Sequence, residues 1–94
     1  MGAIQKTFSG TGTTDKIVAQ KFIVATTGTF SATIKIKWVD DFEVVHTMQE
    51  SGADLALTGV TERVLDLAYP QRVYAEVTAY TSGSPVVFLA GSDR

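Results

Sequence analysis

The chain has 94 residues, a formal net charge of −2 and no cysteine. This length fits one domain with a small core, and the lack of cysteine excludes disulfide bonds and thiolate metal sites. Charged residues make up 19% of the chain, below the roughly 25% of an average domain. Because Lys and Arg are scattered along the sequence and form no basic stripe, binding to nucleic acid is not expected.

The N-terminal segment Met1–Lys6 lacks the apolar region of a signal peptide. No apolar run approaches the roughly 18 residues of a membrane helix. We therefore expect a protein that is made in the cytoplasm without a signal peptide and that does not bind a membrane.

The first third of the chain predicts strands separated by Gly-rich turns. Residues 3–8 form a first strand or an extended arm, and the segment 1–15 as a whole is a candidate N-terminal arm. Residues 9–15 are rich in Gly, Thr and Ser and predict a loop. The apolar residues of 16–26 predict a buried strand, and Gly28 lies in a tight turn.

The segment Phe30–Trp38 alternates strictly between apolar and polar residues. A period of two predicts a strand with one face in the core and one face in solvent. The expected core residues are Phe30, Ile34, Ile36 and Trp38, and the expected outer residues are Ser31, Thr33, Lys35 and Lys37.

The rest of the chain predicts more strands, at residues 42–48, 60–67, 72–81 and 86–90, with a corner at Tyr69–Gln71. A short helix over 62–68 is the alternative for the second of these. About seven short strands with frequent turn signals predict an all-β chain, a single antiparallel β-sandwich over residues 1–94, Ig-like or jelly-roll-like.

Catalytic chemistry would have to use His46, the only histidine. In a regular strand, Asp41 and Glu43 point away from it, so a catalytic role is not expected. The acidic run at 40–43 lacks the ligand spacing of a calcium loop. Glu62 and Asp66 lie about 13 Å apart in a strand, too far for paired-carboxylate catalysis.

The Gly-rich loop at 9–12 lacks the strand–loop–helix context of a phosphate site. The sequence therefore predicts no catalytic, cofactor or metal residues, no cofactor and no enzymatic activity.

Aromatic residues are the remaining candidates for a binding surface. Trp38, Tyr69, Tyr74 and Tyr80 could form a carbohydrate platform, although Trp38 is expected in the core. Tyr74 and Tyr80 share a mixed face with polar residues, and aromatic residues are enriched where proteins meet. The candidate interface residues are Tyr74, Tyr80, Lys35, Lys37, Ile4 and Phe8.

Three segments together resemble small structural proteins of tailed bacteriophages: Gly28–Trp38, Val73–Tyr80 and Tyr80–Leu89. Those proteins often carry a G-T-F-S-G-T-V strand, a Y-T-S-G turn and a final strand that ends in Leu. The chain departs from them at 39–42, where they often have an S-F-D-G-G hairpin.

The resemblance implies a non-enzymatic virion protein, most simply a decoration or cement protein on the outer head surface. Its partners would be the major capsid protein or other virion proteins, and it would form a homo-oligomer such as a trimer. The alternative is a β-sandwich module of the tail, baseplate or fibre that recognises a protein or a glycan.

Overall fold

The computed structural model describes residues 2–92, and their regular secondary structure is entirely β-strand. Met1, Asp93 and Arg94, the ends of the predicted 1–94 domain, lie outside the described residues. No helix in the described range is long and apolar enough to cross a membrane. The strands are β1 (Gly2–Thr7), β2 (Gly12–Thr13), β3 (Ile17–Thr27), β4 (Phe30–Val39), β5 (Val45–Thr47), β6 (Gln49–Glu50), β7 (Ala53–Asp54), β8 (Ala56–Leu57), β9 (Thr61–Gly83) and β10 (Val86–Ser92).

The strands pair antiparallel in the order β1-β10-β3-β9-β4-β5, with β2 against β9 and β8 against β4. Strand β9 belongs to two layers, because residues 61–73 pair with β3 and residues 72–83 pair with β4. Buried residues from both layers form one hydrophobic cluster. The predicted all-β, antiparallel, sandwich-like domain is therefore confirmed.

The strands differ in number and length from the expected seven. Four of them have only two residues and lie outside the predicted strands. The two strands expected on either side of Tyr69–Gln71 are one strand, β9, and the helix considered for 62–68 is strand as well. Long-range pairing with β3 and β4 decides both outcomes.

A four-residue bulge interrupts β9 where the sequence predicts a corner. Between the pairs Ala19↔Gln71 and Lys21↔Asp66, the single residue Gln20 of β3 lies opposite residues 67–70 of β9. Pro70 has no N–H to donate, so it is tolerated where ladder pairing is interrupted. Gln20 Nε2 donates to the carbonyl oxygen of Ala68 at 3.5 Å and partly replaces the missing ladder bonds.

The faces of β4 follow the predicted alternation. Ile34 and Ile36 are fully buried, whereas Phe30 and Trp38 are half-buried at the margin of the core. On the outer face, Ser31 is exposed, whereas Thr33, Lys35 and Lys37 are half-buried, and the alternation ends where buried Val39 follows Trp38. Because the alternation is a local property of the strand, the sequence pattern was sufficient to separate the two faces.

Residues 2–15 pack on the domain. Strand β1 pairs along its whole length with β10, and Phe8 lies in the core with 3% exposure. Buried Thr14 joins this segment to β9, since its Oγ1 accepts from Ala75 N at 3.0 Å and its N–H donates to Ala75 O at 2.9 Å.

Candidate functional site

An open groove of about 970 Å³ lies between the edge strand β5 and the bulged part of β9. One wall comes from the end of β4, the following turn and residues 45–49. The other wall comes from residues 66–71, and Asp54 of β7 also lines the groove.

Trp38 and His46 form a stacked pair in this groove. They are cross-strand partners in the β4–β5 pairing, and their ring centroids are 4.1 Å apart with an interplanar angle of 18°. Directly opposed residues on one face of a sheet pack in this way. Trp38 was expected as a core residue, but its half-buried ring contributes to the groove wall.

Asp40 holds the imidazole of His46 in place. Its Oδ2 lies 2.8 Å from His46 Nε2. Its Oδ1 accepts from the backbone N–H groups of Phe42, at 2.8 Å, and Val44, at 3.0 Å, as Asp often does at the start of a turn. The hydrogen bond from His46, followed by the backbone bonds, lowers the pKa of Asp40 below its usual 3.8.

Sequence reasoning missed this contact. It placed Asp41 and Glu43 on the opposite face from His46, but the turn at 40–44 brings Asp40 to the imidazole. An Asp that begins a turn between two strands is the signal that would have found it. Arg72 stabilises the turn at 40–44, since its Nη2 donates to Asp40 O at 3.3 Å and to Glu43 Oε1 at 3.1 Å.

The Asp40–His46 pair resembles two members of a catalytic triad, but its surroundings favour a positioning role. No Ser or Cys lines the groove in the described range, and the hydroxyl of neighbouring Thr47 accepts from Lys37 Nζ at 2.7 Å. The described residues also contain no group of three or more His, Cys, Asp or Glu side chains that could hold a metal ion. The direct effect of the pair is to fix the imidazole against Trp38.

The groove is acidic. Asp40, Asp41, Asp54 and Asp66 line it, and within residues 2–92 no Lys or Arg does. Lys35 bridges Asp54 from outside the lining at 3.2 Å, and this contact lowers the pKa of Asp54. Asp41 and Asp66 are exposed and form no ion pair with another described residue.

Gln71 is the buried member of the lining, with 6% exposure. Its Oε1 is buried and has no hydrogen-bond partner within the described part of the chain. Buried polar atoms in folded proteins are nearly always hydrogen-bonded, so an exception at the wall of a groove is a functional signal.

The six candidate interface residues predicted from the sequence lie outside the groove. Of the four candidate aromatics, Trp38 and Tyr69 line it, whereas Tyr74 and Tyr80 do not. Tyr74 is half-buried beneath Lys16 Nζ, 5.2 Å from its ring centroid, and burial with nearby Glu76 raises its pKa. Tyr80 donates to Gly83 O at 2.6 Å.

The remaining candidate interface residues are dispersed. Lys35 and Lys37 lie on the outer face of β4, where Lys37 also approaches Glu76 at 3.8 Å. Ile4 is half-buried against the core. Phe8 is buried within its own chain, so its ring contributes to the core of the domain.

A second surface, the outer face of the β1-β10-β3-β9 layer, carries one apolar row. The register places Ala3, Ala90, Ile23 and Val64 in one row across the four strands. The next row, Gln5, Phe88, Ala25 and Glu62, is polar at both ends, and Lys21 and Asp66 are partners on the other side of the apolar row. Val64 is 59% exposed and Phe88 is 36% exposed, so this face presents apolar side chains to the exterior.

Asp40→Asn is expected to make the domain less stable, with the largest effect at neutral pH. Because the folded pKa of Asp40 is lowered, its carboxylate contributes stability above the unfolded value near pH 4, and this contribution is lost as the pH falls through the folded pKa. Melting temperatures from circular dichroism between about pH 2 and about pH 7 measure the difference from the native protein.

That difference should shrink on acidification and disappear near the acidic limit. Asp41→Asn, in the same turn, controls for the loss of a negative charge without the loss of the His46 contact. A difference for Asp40→Asn that stays constant across the pH range would rule out the proposed role of this carboxylate.

Comparisons of the chain with protein-family models, with curated proteins and with solved structures found no match.

Proposed function

We propose that this protein is a non-enzymatic structural component of a tailed-bacteriophage virion, which decorates the outer surface of the head and stabilises it. The resemblance of Gly28–Trp38 and Val73–Leu89 to phage structural proteins supports the class of protein. The observation that carries the proposal is the apolar row on the outer face of the β1-β10-β3-β9 layer together with neighbouring Phe88, since contiguous exposed apolar side chains mark an interaction surface.

The size and chemistry of this face suit a protein–protein contact. The domain measures 35 × 26 × 22 Å, and a standard interface buries about 800 Å² on each partner. Burying apolar area contributes about 25 cal/mol per Å² before the costs of association. A small domain that spans neighbouring capsid subunits, as a trimer or another oligomer, adds such area at their junctions and resists expansion of the head.

Val64→Lys tests this contact. A charge at the β9 end of the apolar row would have to be desolvated on binding, so we expect the variant to fold normally but to lose at least tenfold in affinity for heads that lack the protein. Co-sedimentation with such heads measures the binding, and the temperature at which the particles release their DNA measures the stabilisation.

Val60→Lys is the matched control, because Val60 is 71% exposed and lies before β9, outside the apolar rows. It should bind like the native protein. The cement proposal fails if heads without the protein resist heat and chelators as well as complete heads do.

A tail, baseplate or fibre module is the second candidate, and the groove favours it because a head cement protein has no need of a recessed site. Copy number separates the two. Hundreds of copies per particle on a stained gel would support the head, and about three to twelve copies would support the tail.

A further inference from the structure

We propose that the groove binds an extended peptide segment that carries Lys or Arg side chains and belongs to a partner protein. The inference concerns the groove alone and does not depend on where the protein resides in a virion. It rests on a free strand edge, on the charge of the lining and on a buried polar atom without a partner.

The groove exposes a strand edge that can pair with another strand. Register pairs give residues 61–66 and 71 of β9 a partner in β3 only, and pairing with β4 begins at Arg72↔Val39. Residues 67–70 have no ladder partner on either side within the described part of the chain. Across the groove, β5 is the last strand of its layer. Extended peptides bind by adding a strand to such edges.

The lining selects for positive charge. Lys and Arg are absent from the lining among residues 2–92, and of its four Asp side chains Asp40 contacts His46 and Asp54 is bridged by Lys35. Asp41 and Asp66 are exposed at opposite walls, where they can accept hydrogen bonds from alternate side chains of a bound strand. A neutral saccharide offers hydroxyl groups to these carboxylates but cannot compensate their charge.

Gln71 supplies a specific polar contact at the inner end of the groove. Its unpartnered Oε1 is a hydrogen-bond acceptor that is shielded from solvent, so a peptide N–H or a Lys ammonium can satisfy it once the Gln71 amide turns towards the groove. Tyr69 and Phe42, exposed at 45% and 87%, can cover the aliphatic parts of long basic side chains. One face of the Trp38 ring is already covered by His46, which reduces the aromatic area open to a sugar ring.

Trp38 gives a direct assay, because it is the only tryptophan and lies in the groove. The probe is a capped octapeptide of alternating Lys and Thr, and its matched controls carry Gln or Glu in place of Lys. We expect the Lys peptide to change the Trp38 emission with the highest affinity, the Gln peptide to bind more weakly and the Glu peptide not to bind. The affinity for the Lys peptide should fall as salt rises from about 20 to about 300 mM.

Variants then locate the site. Asp41→Asn and Asp66→Asn should each weaken binding of the Lys peptide about two- to fivefold, whereas Asp15→Asn, an exposed Asp outside the groove, should not change it. Gln71→Leu should weaken binding while it raises the melting temperature of the free protein, because it removes a buried polar atom without a partner.

Three results would overturn the proposal: equal affinity for the Lys and Glu peptides, no effect of either groove Asp variant, or an emission change with cellohexaose and none with the Lys peptide. The last would identify the groove as a glycan site. Each result leaves the head-binding test with Val64→Lys unaffected, so the two proposals fail separately.

Discussion

Gly83→Ala is expected to lower the free energy of unfolding by about 2 to 5 kcal/mol. Gly83 has a φ of 96°, a region that residues with a Cβ rarely adopt. It also pairs with Phe30 at the end of β9. A Cβ built there would lie far inside van der Waals contact of Thr29 O and Phe30 Cα. Both neighbours are backbone atoms, so the clash can be relieved only by displacing the start of β4.

Variants at two other glycines separate the two causes of this loss, the unfavourable backbone conformation and the steric clash. Gly52 has a φ of 83° but no atom within 4 Å of a built Cβ, so Gly52→Ala isolates the cost of the backbone conformation, about 1 to 2 kcal/mol. Gly10 has open space around it and no positive φ, so Gly10→Ala should be nearly neutral. Urea unfolding followed by circular dichroism gives all three values. A Gly83→Ala variant no less stable than Gly52→Ala would contradict the close approach of Gly83 in β9 to the start of β4.

Phe22→Ala is expected to cost about 3 to 5 kcal/mol. The side chain is 2% exposed and lies in the main hydrophobic cluster. Its strand β3 has neighbours on both sides, and Phe22 pairs with Leu65 of β9 and Gly91 of β10. Removing the ring loses its burial and leaves a cavity between the two layers. Since a domain of this size is stable by only about 5 to 15 kcal/mol, the loss is a large part of the total.

The measurement is the free energy of unfolding in urea at neutral pH. Val64→Ala is the control, because Val64 lies on the exposed outer face of the same layer and its truncation should change stability by about 0.5 kcal/mol or less. If Phe22→Ala does not fold, Phe22→Leu should still fold and show a smaller loss. A Phe22→Leu variant as stable as the native protein, together with a small loss in Phe22→Ala, would contradict the proposed position of this ring.

The groove and the apolar face both include residues of strand β9. Val64 faces outward in the apolar row, and Asp66, two residues further on, lines the groove. The bulge at 67–70 then bends β9 from one layer towards the other. One strand thus contributes to both candidate binding surfaces, and Pro70 lies at the bend between its two halves.

The features that depend on neighbours in the sequence were predictable from the sequence alone. The alternation in Phe30–Trp38 identified the strand and its buried Ile34 and Ile36, because side chains of a strand point to alternate faces whatever the strand pairs with. The turn residue Gly28, with its positive φ, likewise reflects a local backbone requirement.

The candidate groove depended on tertiary structure. The segments on either side of the bend in β9 form one strand because β3 pairs with one half and β4 pairs with the other. Residues 38–49 and 66–71 form one groove through register between strands that are distant in sequence. Such pairing is set by the packing of the whole core, and no pattern within either segment encodes it.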